Sequence, residues 1–250
     1  MFIERQLIDA DSIYFRAAMA SQKKKDIRQV IDYKMREITQ NTGALETYVA
    51  IKGKENFRKD LYPAYKKNRP DLDEKIKEAL NYGHNYMVDK YDAQLAHGME
   101  ADDLVSIWAH ECRSTDNDYV VVGIDKDLLQ IPGWHLNFIK MDAQYIDEDM
   151  ANYKLMLQCL TGDTSDNIPG IRGIGPKKAE RILHGVPMQR RWNRVRAAWR
   201  THKAGNPTTS WRLLKMLETF EELDGIKFEI ASQTNKRKQN VRDEEQAQDS

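Results

Sequence analysis

Cysteine is scarce in this chain. Cys112 and Cys159 are the two in 250 residues, with no CxxC pair and no histidine near them at zinc-ligand spacing. That excludes a disulfide framework and a structural zinc site, and both are read as free thiols. Long apolar runs are also missing: nothing approaches the roughly 18 consecutive apolar residues of a membrane helix. The start, MFIERQLIDADSIYF, has no basic region followed by an apolar signal core. A cytoplasmic protein without a membrane partner is expected. Net charge is absent too, since 39 Lys and Arg balance 39 Asp and Glu, so any nucleic-acid partner has to be read from where each sign collects. The six histidines, His84, His97, His110, His135, His184 and His202, share no motif with a serine or cysteine nucleophile, which leaves no hydrolase triad.

What is present is an alternation of strand and helix. Gln6–Ile8 lead into Asp9 as a short apolar strand, a second strand is expected at Glu46–Ile51, and a third at Tyr119–Ile124. The run YVVVGI suits a strand buried on both faces. Helical patterns at Asp73–Leu80 and Ala101–Cys112 fall between them, and such alternation predicts a parallel α/β sheet. After about Asn152 only helices are expected, at Tyr153–Leu160, Pro176–Leu183, Met188–Arg200 and Ser210–Phe220. The chain is therefore divided into an α/β core over 1–152 and a helical region over 153–231. From Ser232 the composition cannot bury enough apolar surface to order a segment, so 232–250 reads as a tail.

Acids collect where the strands end. Asp9 closes the first strand, and Asp125 and Asp127 follow the third. In open α/β sheets, sites form at the carboxyl ends of strands. Glu100, Asp102 and Asp103 fall within four residues at the start of a predicted helix, where capping is the competing explanation. Asp163 and Asp166 lie in the turn-rich stretch GDTSDNIPG. If these eight carboxylates converge, holding two divalent cations such as Mg²⁺, with Mn²⁺ as the alternative, is the chemistry that accounts for so much like charge. Two such ions activate water and stabilise the leaving oxygen in phosphodiester hydrolysis.

Bases collect in two places. KGKENFRKDLYPAYKKNRP, over 52–70, interleaves seven basic residues with Phe57, Tyr62 and Tyr65, a pattern that suits a single strand if the rings stack on bases. The rings packed inward under a solvated basic face is the alternative. In IPGIRGIGPKKA, a glycine-rich turn with Gly173 and Gly175 opens a helix whose first turn carries Lys177 and Lys178, which suits a phosphate at free backbone N–H groups. Arg181, Arg190, Arg191, Arg194, Arg196 and Arg200 extend this stretch, as DNA contacts or as a solvated helix face.

Three of these segments together, GMEADDLV, IDKDLLQI and GDTSDNIPGIRGIGPKKA, resemble the 5′-nuclease superfamily: flap endonucleases, bacteriophage 5′→3′ exonucleases and the 5′-nuclease domain of bacterial DNA polymerase I. The resemblance runs from about Leu7 to Leu183. It implies a PIN-like parallel sheet flanked by helices, a helical arch at about 52–95 and a C-terminal helix-hairpin-helix region, with K⁺ at the hairpin. It implies Lys66, Arg69 and Arg16 near the scissile phosphate, with Lys66 and Arg69 as transition-state stabilisers. Arg58, Tyr65 and Lys67 follow as contacts to the nucleic acid. The implied work is flap removal, exonucleolytic degradation or RNA-primer removal on DNA with a 5′ flap or 5′ end, or on RNA/DNA hybrid. A monomeric phage-type enzyme acting beside replication proteins in a bacterial host is expected. One departure stands out: the family's acid at the end of the second strand is matched here by Ile51. Asp11, two residues beyond Asp9, shares its face if the strand continues, and is the candidate substitute. A first metal site resting on Glu100, Asp102 and Asp103 is the alternative. Two other readings remain open, a DNA-junction binding protein with a degenerate metal site and a PIN-type endoribonuclease.

Overall fold

The computed structural model describes residues 3–232. Its centre is a six-stranded sheet in the order β3-β2-β1-β4-β5-β6. The strands are β1 (Arg5–Asp9), β2 (Glu46–Lys52), β3 (Gln94–Ala96), β4 (Tyr119–Val122), β5 (Gly133–Asn137) and β6 (Asp142–Ile146). The first five run parallel and β6 returns antiparallel on the outer edge. Parallel strands bring their carboxyl ends to one edge of the sheet, and that edge receives the acids.

The helices include α1 (Asp11–Ala20), α2 (Lys24–Thr42), α3 (Phe57–Leu61), α4 (Glu74–Tyr91), α5 (Ala101–Ser114), α6 (Glu148–Thr161), α7 (Pro176–Leu183), α8 (Met188–Thr201) and α9 (Thr208–Leu214). One sheet face packs Ile8, Val49, Ile51, Val120 and Val122 against α1, α2 and α4, while the other packs Leu7, Ala50 and Val121 against α5. A third apolar cluster gathers Leu155, Cys159, Ile171, Leu183 and Trp199 from α6 onward and takes in Tyr65 from the basic segment. Cys112 and Cys159 are both buried and free. No helix of the described residues is long and apolar enough to cross a membrane.

The expected alternation is present, with differences. Strands β3, β5 and β6 and helices α1 and α2 were not anticipated. The third strand stops at Val122, α4 runs eleven residues past its expected end at Leu80, and the expected Ser210–Phe220 helix ends at Leu214 before a helical run resumes over 220–232. The stretch expected to form an arch folds down on the core. Its α4 packs on α1 and α2, with Gly83 against the Tyr14 side chain and the Tyr86 hydroxyl donating to Asp32. Apart from Ser232, the expected tail lies outside the described residues.

Candidate metal centre and nucleic-acid interface

Four chain segments deliver carboxylates to the carboxyl edge of the sheet. Asp9 is the last residue of β1. Asp125 follows β4 and caps the short 3₁₀ turn Lys126–Gln130, its carboxylate accepting from the Asp127 amide at 2.9 Å. Glu100 and Asp102 sit where α5 begins. The fourth segment is the loop after α6, closed by paired backbone bonds between Asp163 and Ile168. Gly162, at φ +69°, and Gly170 lie so close at its base that a Cβ on either would stand about 2.4 Å or less from the other's nitrogen. Only glycine permits that approach, so these two residues set the position of Asp163 and Asp166.

The cluster divides by charge compensation. Lys66 is ion-paired to Glu100 and lies 3.5 Å from Asp166, which Arg69 meets at 2.6 Å. Asp163 pairs with Lys126 at 2.8 Å. Burial would raise its pKa, but Lys126 and the amides of Ser165 and Asp166 hold it below the usual carboxylate range. Asp9 and Asp102 form no ion pair among the described residues. Burial, then the neighbouring Asp11, Asp125 and Glu100, push the Asp9 carboxyl up to about 8. Burial and the acids Asp103, Glu100 and Asp9 push Asp102 well above its ordinary value. Asp127 accepts from Gln158 and is raised to about 6 by burial and by Asp125. Buried carboxylates left without a counter-charge are what a bound cation would stabilise.

The donor set fits hard divalent cations, being all oxygen and net negative. Asp9 feels the charges of Asp11, Asp125 and Glu100, and Asp102 those of Glu100 and Asp9, while Asp125, Asp127 and Asp163 surround Lys126. As the side chains stand, no three of them close round a common point at ligand range among the described residues. Lys66, Arg69 and Lys126 occupy the oxygens of Glu100, Asp166 and Asp163.

Several expected roles change. Asp103 is 0 % exposed, and Arg58 grips it in two parallel bonds of 2.5 and 2.8 Å. Its oxygens also accept from the amides of Leu217 and Glu100. It has no lone pair left for a metal and acts as a structural acid. Arg58, 2 % exposed, spends two further N–H groups on the carbonyls of Leu213 and Lys215, and this burial keeps it from reaching a nucleic acid. Tyr65 is 3 % exposed, and Phe57 is buried as well. The Tyr65 hydroxyl donates to Glu100 at 2.8 Å and lies 3.2 Å from Asp166, so this ring aims carboxylates and does not stack on bases. Arg191, expected in the basic stretch, is buried on Asp149. The departure assigned to Ile51 belongs to its neighbour. Ala50 stands opposite Asp9 in the β1–β2 register, whereas Ile51 faces the other side with Ile8 and Val49.

The other predicted residues lie at the surface or on the edge. Lys66 and Arg69 lie on the acids as described, and Lys67 is exposed beside them. Arg16 is exposed on α1 and forms no ion pair among the described residues. Gly173 and Gly175 are open to solvent ahead of α7, with Lys177 and Lys178 exposed in its first turn and the Lys178 amine on the Gly173 carbonyl at 2.8 Å. Lys126 and Gln158, which meet Asp163 and Asp127, join the site beyond the residues expected from sequence. Lys126 was legible as the one base inside IDKDLLQI.

The profile of the family described as 5′-3′ exonuclease, N-terminal resolvase-like domain, matches residues 4–156. DNA polymerase I of Rhizobium leguminosarum is 33 % identical over 162 residues, which cover 57 % of this chain and 15 % of that protein. Flap endonuclease Xni of Shewanella baltica (strain OS155) is 32 % identical over 149 residues, 55 % of this chain and 57 % of that one. The match thus spans little more than half of the one relative and a small part of the other. Among solved structures, T5 5′-exonuclease with zinc bound superposes with a TM-score of 0.66 at 19 % identity, covering 92 % of this chain and 98 % of the other. That likeness establishes the fold: a six-stranded sheet flanked by helices.

Proposed function

The chain belongs to the 5′-3′ exonuclease family, in its N-terminal resolvase-like domain, and on that premise we propose that it is a structure-selective 5′ nuclease. Its work is hydrolysis of phosphodiesters near a 5′ end, in flap removal, exonucleolytic degradation or RNA-primer removal. One observation carries the reading: Asp9 and Asp102, carboxylates without an ion-pair partner among the described residues, share the sheet edge with Glu100 and Asp166, which Lys66 and Arg69 of the basic segment already touch. Asp9, Glu100, Asp102 and Asp125 would hold one divalent ion, and Asp125, Asp127, Asp163 and Asp166 a second, with Mg²⁺ or Mn²⁺ suited to such ligands. Bound there, the ions supply an activated water and a counter-charge for the leaving oxygen.

The chain's own cations do the rest. Lys66 and Arg69 exchange carboxylate partners for the scissile phosphate and set fixed positive charge where negative charge develops. Tyr65 holds Glu100 and Asp166 in place during that exchange. Arg16 and Lys67 are exposed for phosphates of the 5′ strand. The amides at the start of α7, with Lys177 and Lys178, suit the backbone of the adjoining duplex, and K⁺ at this turn would have to displace the Lys178 amine from the Gly173 carbonyl. A second reading, a junction-binding protein that does not cut, draws on β2, which brings no acid to the edge.

Cleavage of a 5′-labelled flap substrate, alongside a blunt duplex and an RNA/DNA hybrid, separates the two. Short 5′ fragments released with Mg²⁺ or Mn²⁺ and suppressed by EDTA are expected. Retarded but intact substrate under every metal would establish the binding protein instead.

A further inference from the structure

β2 ends in Ala50, Ile51 and Lys52, none of which offers an oxygen donor from its side chain at the edge. Asp11 fills that gap from the neighbouring element. The β1 strand stops at Asp9 and α1 starts at Asp11, so the two acids do not share a strand face. The turn of chain between them nevertheless keeps them together, because the Asp9 carboxylate accepts the Asp11 amide at 3.2 Å. One Asp11 oxygen is then fixed from two sides, by the Lys52 amide at 2.9 Å and the Tyr14 hydroxyl at 3.1 Å. The first bond prolongs the β1–β2 ladder one step past the Ala10 amide on the Ala50 carbonyl, which places the carboxylate at the mouth of β2. Its other oxygen, Oδ2, has no hydrogen bond or ion pair among the described residues.

We propose that Asp11 is a further metal-holding residue, contributing through Oδ2 to the divalent ion shared with Asp9, Glu100 and Asp102. This rests on the reading of the edge as a metal centre. Two features set it apart from a merely structural acid. Its carboxylate caps no amide of α1 and is instead held by the Lys52 amide of β2. It also sets a second carboxylate against that of Asp9, whose oxygen accepts the Asp11 amide, a placement of like charge that costs stability unless a cation joins them.

The test is Mn²⁺ uptake followed calorimetrically in the full chain. Asp11→Asn is isosteric and keeps an acceptor for Lys52 and Tyr14 while removing the charge. A rise of about ten- to a hundredfold in the dissociation constant of the tighter Mn²⁺ class is expected, the scale on which supporting groups tune metal sites. The metal-free Asn variant should also melt higher than wild type at pH 8, an effect that loss of a structural bond would reverse. Unchanged Mn²⁺ affinity in a folded Asp11→Asn protein overturns the proposal. Should that variant not fold, Tyr14→Phe carries the test by removing one of the two bonds that aim the carboxylate, and unchanged affinity there overturns it equally. Wild-type protein that takes up no Mn²⁺ would instead overturn the metal-centre reading, and Asp11's part with it.

Discussion

Asp103→Ala is expected to lower the free energy of unfolding by about 3–5 kcal/mol, the usual cost of removing one member of a buried ion pair. The cost comes from what is left behind. Arg58 is almost fully buried and would keep its charge with no partner. The amides of Leu217 and Glu100 would lose an acceptor in the same step. Because Arg58 also binds the carbonyls of Leu213 and Lys215, the pair fastens the segment after α9 to the start of α5, and its loss should loosen the C-terminal helices first. Replacing both partners, Arg58→Met with Asp103→Leu, is expected to recover part of the loss, since the attraction between them mainly offsets their desolvation. Urea denaturation checks this through a lower midpoint at unchanged slope. An Asp103→Ala protein as stable as wild type would return Asp103 to the list of metal ligands.

Asp9→Asn is expected to separate activity from stability in opposite directions. The carboxylate sits at the centre of the unpaired group, and its loss should lower kcat by at least about a hundredfold, the scale for one fixed group aimed at developing charge. Stability of the metal-free protein should move the other way. The ordinary pKa of Asp9 is 3.8 and burial among acids carries it to about 8 in the folded chain. A raised folded pKa means that the native state holds the proton more tightly than the unfolded chain, so this contribution is complete below about 3.8 and fades as pH rises through about 8. Wild-type protein in EDTA should therefore melt lower at pH 8 than at pH 5. In the Asn variant that difference shrinks. Divalent metal should restore the wild type at pH 8 and leave the variant little changed. Single-turnover cleavage and melting curves at the two pH values check both halves. An Asn variant that cuts normally, or that melts lower than wild type in EDTA at pH 8, would show that Asp9 is a structural residue.

The parts of this architecture that sequence exposes are those carried by local pattern. YVVVGI announced a strand, GMEADDLV a helix start, and the acids after Ile8 and Ile124 the ends of strands, because each depends on neighbours within a few residues. Helix α2 is equally legible from Ile27, Ile31, Met35 and Ile38, spaced to line one helical face. β3 has three residues and β6 is exposed along most of its length, so neither carries an apolar signature. What escaped altogether was pairing across the chain. Nothing local distinguishes Asp103, which Arg58 grips from 45 positions away, from Asp102, which forms no ion pair among the described residues. Nor does β2 alone reveal that Ala50 and not Ile51 stands beside Asp9, since that parity is fixed by the register with β1. Tyr65 likewise read as a base-stacking ring until α6 and the loop after it closed over it.

The most direct test of a divalent-metal centre at this edge is the anomalous scattering of crystals grown with Mn²⁺. A peak within coordination distance of Asp9 and Asp102, with Lys66 drawn away from Glu100, is the predicted result. An edge without anomalous density at saturating Mn²⁺, its lysines still seated on the acids, would contradict it.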